Sequence, residues 1–188
     1  MSLSPQLVLR VAGLCLATVI VQIAAVSQVS IFGTNADLSP LIIASVGLLA
    51  GSIAGSVAGF GVGLFIDLAL VQTLGVSSLI YIAVGYGAGR LRELRDPQAA
   101  LTPLAVGAAA TAIATCGYAI VEFLLGVDAP VSFLLVRQIV ATVIVNTVIA
   151  LPAYAVARRW IEPALPDDPR RRRRRAYTTG GLSPLSRA

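Results

Sequence analysis

Between Arg10 and Arg90 the chain carries only two side chains with a full charge, Asp37 and Asp67. Of its 188 residues, 57% are hydrophobic and 12% are charged. A soluble domain contains about 25% charged residues. Apolar stretches of about 20 residues, the length that crosses the hydrocarbon core of a bilayer, recur along the chain. The sequence therefore predicts an all-α, polytopic membrane helical bundle.

The residues that build most catalytic and metal sites are scarce in this chain. It has no His, and its two cysteines, Cys15 and Cys116, stand alone in apolar runs. Zinc sites, haem sites and catalytic triads depend on such residues. We therefore expect no cofactor, no metal site and none of the usual catalytic triads, and we interpret the cysteines as small buried hydrophobic residues.

The apolar stretches predict about six transmembrane helices. Residues 41–73 would form either one overlong helix of about 50 Å or two short helices with a tight turn near Ala50–Ser52. We favour the two short helices. The predicted spans are Leu7 to about Ile31, 38–50, 53–71, Val76 to about Gly89, 99–125 and 131–157. Arg90–Pro97 is predicted to be a charged loop.

The arginines predict the orientation in the membrane. Basic residues occur at the start of the first span, in the loop after the fourth span and after the last span, whereas the loops at 32–40, 72–75 and 126–130 contain none. Because positively charged loops stay in the cytoplasm, six spans place both termini inside (N-in/C-in). Five spans would separate Arg10 from the C-terminal cluster.

The predicted division is a transmembrane bundle over 1–160 and a disordered, Arg-rich cytoplasmic tail over 161–188. The tail has too few apolar residues to bury a core. Its six-arginine run attracts anionic lipid headgroups, at about 1 kcal/mol per residue near the surface. No nucleic-acid partner is expected. The lipid-facing residues are Arg170, Arg171, Arg172, Arg173, Arg174 and Arg175.

Glycine recurs at every fourth position from Gly47 to Gly63, and the next step is Asp67. Small residues four apart let helix backbones approach closely in a membrane, where the hydrophobic effect does not drive association. With a turn near residue 51, the glycines at 55, 59 and 63 form a compact groove on the third span. We expect this groove to pack against another helix of the bundle or to bind a helix of a partner.

Four polar side chains lie at membrane depth, where an unpaired charge is costly. The six-span topology places Asp67, Glu122 and Arg137 near the outer interface. They form either a polar binding site or a set of local caps and snorkelling side chains. Asn146 is expected to hydrogen-bond a neighbouring helix, at about 1 kcal/mol. Pro152 is expected to kink the last span.

Several segments together resemble the MreD family, the rod-shape-determining membrane proteins of bacteria. The most specific is G-x-x-x-G-F-x-x-G-L-x-x-D, which spans 55–67 and includes Phe60. The segment TLGVSSL, which contains Gly75, follows it, and an asparagine and a proline six residues apart occur in the last span. The resemblance covers about residues 7–160. The long Arg-rich tail departs from the short tail of the family.

The resemblance implies a non-enzymatic component of the elongation (rod) complex in the bacterial cytoplasmic membrane. Such a protein binds MreC and acts with a RodA-type glycosyltransferase and a class B penicillin-binding protein in lateral peptidoglycan synthesis. The family is similar in fold to the S-components of energy-coupling-factor transporters, so a vitamin-binding S-component is the alternative. A membrane enzyme is a third interpretation, for which Asp67 and Glu122 are the only candidate acid pair.

Overall fold

A computed structural model describes residues 4–26, 30–31, 34–35, 37–94, 101–126 and 133–165. These residues contain six α-helices and one pair of two-residue strands. The helices are α1 (Pro5–Val21), α2 (Leu38–Ala50), α3 (Ser52–Ala69), α4 (Val76–Leu94), α5 (Thr102–Leu124) and α6 (Phe133–Ile161). A π-helical segment, Gln22–Val26, extends α1, and a 3-10 turn, Glu162–Ala164, follows α6. Strands β1 (Ser30–Ile31) and β2 (Thr34–Asn35) pair antiparallel.

The predicted all-α bundle is confirmed, and the apolar region 41–73 is divided into two helices. The break lies at Gly51, which has φ +98° and ψ 175° and therefore occupies backbone space open almost only to glycine. Its N–H donates to the carbonyl of Gly47 at 2.8 Å, and its own carbonyl accepts from Gly55 at 3.0 Å. Gly51 thus closes α2 and opens α3 within a single residue.

Two predicted boundaries are wrong. The first span was expected to continue to about Ile31, but its α-helix ends at Val21, and Ser30 and Ile31 lie in β1. Apolar composition alone does not separate a helix end from a short strand. The predicted loop at Arg90–Pro97 is helical as far as Leu94. Within this last turn Arg90 pairs with Glu93 at 2.9 Å, and the Ser52 hydroxyl donates to the same carboxylate at 2.7 Å.

Helix α2 occupies the centre of the bundle and contacts each of the other five helices. Its 13 residues span about 20 Å, which is less than the roughly 30 Å of the hydrocarbon core. Four other helices in the described ranges, α1, α3, α5 and α6, are long and apolar enough to cross a membrane. Because every residue from Ser39 to Leu49 is buried, protein rather than lipid surrounds α2.

The two ends of the bundle domain meet at one side of the structure. The Arg10 guanidinium donates to the carbonyl of Trp160 at 2.8 Å, and the Trp160 indole N–H donates to the carbonyl of Arg10 at 3.0 Å. This reciprocal pair joins the start of α1 to the end of α6. Packing continues past residue 160, because Ile161 is fully buried and Leu165 contacts the core. The rest of the predicted tail, including Arg170–Arg175, lies outside the described residues.

We predict that Gly51→Ala lowers the stability of the protein by about 1–3 kcal/mol, because alanine is strained at this backbone conformation. Gly87→Ala is the matched control. Gly87 lies on an exposed face of α4, and no atom lies within 4 Å of the position a Cβ would take. Thermal unfolding of the two purified variants in detergent measures the difference. Equal midpoints for both variants would contradict a glycine-dependent break.

Candidate packing and partner-binding site

The glycines of α3 bring its backbone into direct contact with the backbone of α4. A Cβ on Gly55 would overlap the carbonyl of Gly85, and a Cβ on Gly59 would overlap the carbonyl of Tyr81. One turn further, a Cβ on Gly63 would overlap the backbone of Ser78. The two antiparallel helices are therefore in contact over more than two turns, at a distance that any larger side chain would prevent.

The contact is built from both helices and from α2. A Cβ on Gly85 would overlap the backbone of Gly55, and one on Gly89 would overlap the backbone of Ser52. A Cβ on Gly47 of α2 would lie 2.5 Å from the Gly85 carbonyl oxygen. Since this face of α3 is filled by α4, it has no room for the helix of a partner. Phe60 lies on a different side of α3 and is 52% exposed.

Asp67 follows the glycine ladder, the series of glycines at every fourth position from Gly47 to Gly63, and binds the turn that leads into α4. Its side chain is 1% exposed, and one carboxylate oxygen accepts the N–H of Gly75 at 2.7 Å. Gly75 has φ +94° and directly precedes the first residue of α4. A carboxylate at a helix N-terminus is stabilised by the helix dipole. The other carboxylate oxygen is buried without a hydrogen-bond partner.

The N-terminus of α2 is capped by side chains from three parts of the chain. The N–H of Leu38 donates to the Gln22 side chain at 3.0 Å, and the N–H of Ser39 donates to the Asp37 carboxylate at 3.0 Å. The next residue, Pro40, has no N–H. A helix that ends inside a membrane protein must satisfy its first N–H groups internally. The first turn of α2 meets this requirement completely.

Asn146 of α6 forms two hydrogen bonds with the backbone of Asp37, the residue that precedes α2. Its amide oxygen accepts the N–H of Asp37 at 3.2 Å, and its amide nitrogen donates to the carbonyl of Asp37 at 2.9 Å. The same nitrogen donates to Thr111 of α5 at 3.2 Å. Asn146 is fully buried, its bond to Thr111 is buried, and its two bonds to Asp37 are partly buried. One side chain thereby connects α6, α5 and the start of α2.

Two tyrosines extend this polar cluster towards Asp67. The Tyr81 hydroxyl donates to the Asp37 carboxylate at 3.3 Å, and the Tyr118 hydroxyl donates to Ser77. The two rings are packed edge to face, with centroids 6.3 Å apart. Neither Asp37 nor Tyr81 was predicted as a site residue, because no local pattern reveals a bond between residues 44 positions apart.

Glu122 and Arg137 are not joined to Asp67. Both side chains are exposed, and among the described residues the only salt bridges are Arg90–Glu93 and Arg158–Glu162.

Pro152 lies inside α6, which is continuous from Phe133 to Ile161. Since proline has no N–H, the carbonyl of Val148 loses its helical partner there. A kink at Pro152 stays a prediction.

A groove lies between α1 and α3 and has a volume of about 250 Å³. Its lining is almost entirely apolar and contains no charged residue. The α3 side offers small residues to the groove, and Gly61 has no atom within 4 Å of its Cβ position. The lining residues are Leu7, Val8, Val11, Ala12, Cys15, Leu16, Val19, Ala54, Val57, Ala58, Gly61, Val62 and Phe65.

The fold and the site define a class of protein: a helical membrane bundle in which buried polar groups satisfy helix ends. Within the described ranges, no group of three or more His, Cys, Asp or Glu side chains is placed to hold a metal ion. A family model described as rod shape-determining protein MreD matches residues 6–160. The chain therefore belongs to the MreD family. No curated protein and no solved structure matches it.

We predict that Gly59→Ala destabilises the protein by about 1–3 kcal/mol or more, because the added methyl group overlaps the backbone of α4 and overpacks the contact. Gly61→Ala, two residues away on the same helix, adds the same methyl group to open space and leaves stability unchanged or slightly raised. Thermal unfolding in detergent separates the two outcomes. A Gly59→Ala midpoint equal to that of Gly61→Ala would contradict the backbone contact.

We also predict that Asn146→Ala destabilises the protein by about 1–3 kcal/mol, since it leaves the partly buried N–H of Asp37 without its side-chain acceptor. The control is Thr147→Ala on the next residue, whose hydroxyl donates only to the carbonyl of Val143 in its own helix, at 2.6 Å. Denaturation in mixed micelles measures both variants. If Asn146→Ala behaves like Thr147→Ala, the cap on α2 does not depend on Asn146.

Proposed function

We propose that this protein is a non-catalytic component of the rod complex that binds an MreC-like protein in the bacterial inner membrane. Membership of the rod shape-determining family establishes the coarse function, cell-shape determination by a multi-pass membrane protein. The non-catalytic role in the rod complex is supported by the hydrogen bonds of the polar residues in the bundle. Each of Asp37, Asn146 and Asp67 binds backbone groups at the start of a helix, which is a structural role.

The observation that carries the partner proposal is the division of the small residues of α3 between two faces. Helix α4 packs against Gly55, Gly59 and Gly63. The open α1–α3 groove, in contrast, is lined by Ala54, Ala58 and Gly61. Small residues permit close approach of another helix. Because the groove has no charged lining residue, an apolar membrane helix of the MreC-like protein fits its chemistry.

The wider assembly follows from the family. We infer that a RodA-type glycosyltransferase and a class B penicillin-binding protein belong to the same complex, and that the arginines at 170–175 attract anionic lipids. The described arginines at 10, 90, 92, 158 and 159 lie at helix ends that share the side of the bundle where the Arg10–Trp160 pair lies. By the positive-inside rule this is the cytoplasmic side.

Affinity capture from the native host in mild detergent, with mass spectrometry of the recovered proteins, tests the proposal. We expect an MreC-like protein to be captured with the wild-type chain. Gly61→Leu fills the groove, and we expect it to reduce this recovery at least about tenfold, which corresponds to 1.4 kcal/mol.

The matched control is Gly87→Leu on α4, since both glycines have open space at the Cβ position. Unchanged recovery with Gly87→Leu, at equal expression and thermal stability, assigns the loss to the groove. Full recovery with Gly61→Leu would place the partner elsewhere. Recovery of a pair of ATPases with a membrane coupling subunit would replace the proposal with a transporter S-component.

A further inference from the structure

We propose that the junction between the start of α1 and the end of α6 binds the phosphate headgroup of an anionic phospholipid. The site consists of Arg10, Arg159 and Trp160, which belong to the helices of the bundle and not to the Arg-rich tail. This inference goes beyond the proposed function, because it concerns a lipid that the bundle itself holds. It can be measured without any partner protein.

Two reciprocal hydrogen bonds fix the geometry of this junction. The Arg10 guanidinium donates to the carbonyl of Trp160 at 2.8 Å, and the indole N–H of Trp160 donates to the carbonyl of Arg10 at 3.0 Å. Carbonyl groups in the last turn of a helix lack a helical partner and carry partial negative charge, so Arg10 stabilises the end of α6. This bond uses one of the five N–H donors of the guanidinium and holds the group in place.

The positive charge at the junction exceeds the negative charge. The carboxylate of Glu162 is bound by Arg158 at 3.2 Å. Neither Arg10 nor Arg159 forms a salt bridge within the described residues, and Arg159 is exposed. Three arginines and one glutamate leave a net positive charge here. A phosphate group is complementary to it, because its oxygens accept several N–H bonds from guanidinium groups.

The surroundings of the junction favour a lipid over a soluble anion. The Trp160 side chain remains 53% exposed, and exposed tryptophan is typical of the membrane–water interface, where headgroups lie. Gly13 and Ala17 follow Arg10 at spacings of three and four residues, which places all three on one side of α1. Both small residues are exposed, and no atom lies within 4 Å of the Cβ position of Gly13. An acyl chain therefore has room beside the headgroup site.

Trp160 is the only tryptophan of the chain, so its fluorescence reports on the lipid next to the junction. The full-length protein is placed in vesicles of equal amounts of phosphatidylglycerol and phosphatidylcholine. Bromine atoms, which quench tryptophan fluorescence at short range, are carried by the acyl chains of one lipid or of the other, while the composition stays the same. The ratio of the two quenching efficiencies gives the preference of the junction for the anionic lipid.

We expect brominated phosphatidylglycerol to quench Trp160 more strongly than brominated phosphatidylcholine. Arg159→Gln is expected to lower this preference about fivefold, which corresponds to about 1 kcal/mol for one basic residue near the surface. Arg10→Gln is expected to act similarly, whereas Arg10→Lys keeps the charge and retains most of the preference. The matched control is Arg90→Gln, which removes the same charge from the same side of the bundle on α4. We expect it to leave the preference nearly unchanged.

Equal quenching by the two brominated lipids in the wild-type protein would overturn the proposal. A preference that survives both Arg10→Gln and Arg159→Gln would also overturn it, because the tail arginines, present in every variant, would then be its source. An equal loss in Arg90→Gln would contradict a local site and indicate general surface charge.

Thermal unfolding in detergent checks that each variant is folded. Arg159→Gln breaks no salt bridge of the described chain, so it tests the site even if Arg10→Gln disturbs the junction. These outcomes are independent of the capture experiment. A bound lipid without a captured MreC-like protein would leave the lipid site intact, and a captured partner without lipid preference would leave the proposed function intact.

Discussion

Backbone contact between α3 and α4 is the interaction on which the rest of the structure depends. In a membrane, helices gain little from hiding apolar side chains from one another, because lipid is equally apolar. Dispersion forces between closely packed atoms have to supply the attraction, and they fall steeply with small gaps. Glycine at 55, 59 and 63 removes the side chains that would create such gaps. The following step of the ladder then places the Asp67 carboxylate at the start of α4.

A second constraint follows from the short central helix. Since α2 is buried from Ser39 to Leu49, its first N–H groups lie at the edge of the protein interior, and the helix itself gives them no acceptor. The chain satisfies them with Gln22, Asp37 and Asn146, which come from three separate segments. This requirement explains why polar side chains occur at membrane depth in a chain with so few charges. These side chains accept hydrogen bonds from backbone N–H groups at helix ends, and both Asp37 and Asp67 have this role.

The sequence was sufficient for the features that depend on local pattern. The break near residue 51, the division into six helices and the packing role of the glycine ladder all follow from spacing and helix geometry. The spacing does not, however, predict which distant residues of the chain form hydrogen bonds with one another. That Asn146 binds Asp37, 109 positions away, depends on how α6 lies against α2, and the Arg10–Trp160 pair spans 150 positions.

Apolar composition placed the end of α1 too late, and charge alone placed the end of α4 too early. The expected layer of Asp67, Glu122 and Arg137 is not formed by salt bridges, because topology gives the depth of a residue but not the direction of its side chain.

The contact between α3 and α4 is tested most directly by solid-state NMR of the protein in lipid bilayers, with ¹³C-labelled glycine. The structure predicts through-space cross-peaks between Gly55 and Gly85, two residues 30 positions apart whose backbones touch, and none between Gly61 and Gly85. A spectrum without a Gly55–Gly85 cross-peak, or one in which Gly61 makes that contact instead, would show that the ladder faces lipid or a partner and would contradict the proposed packing.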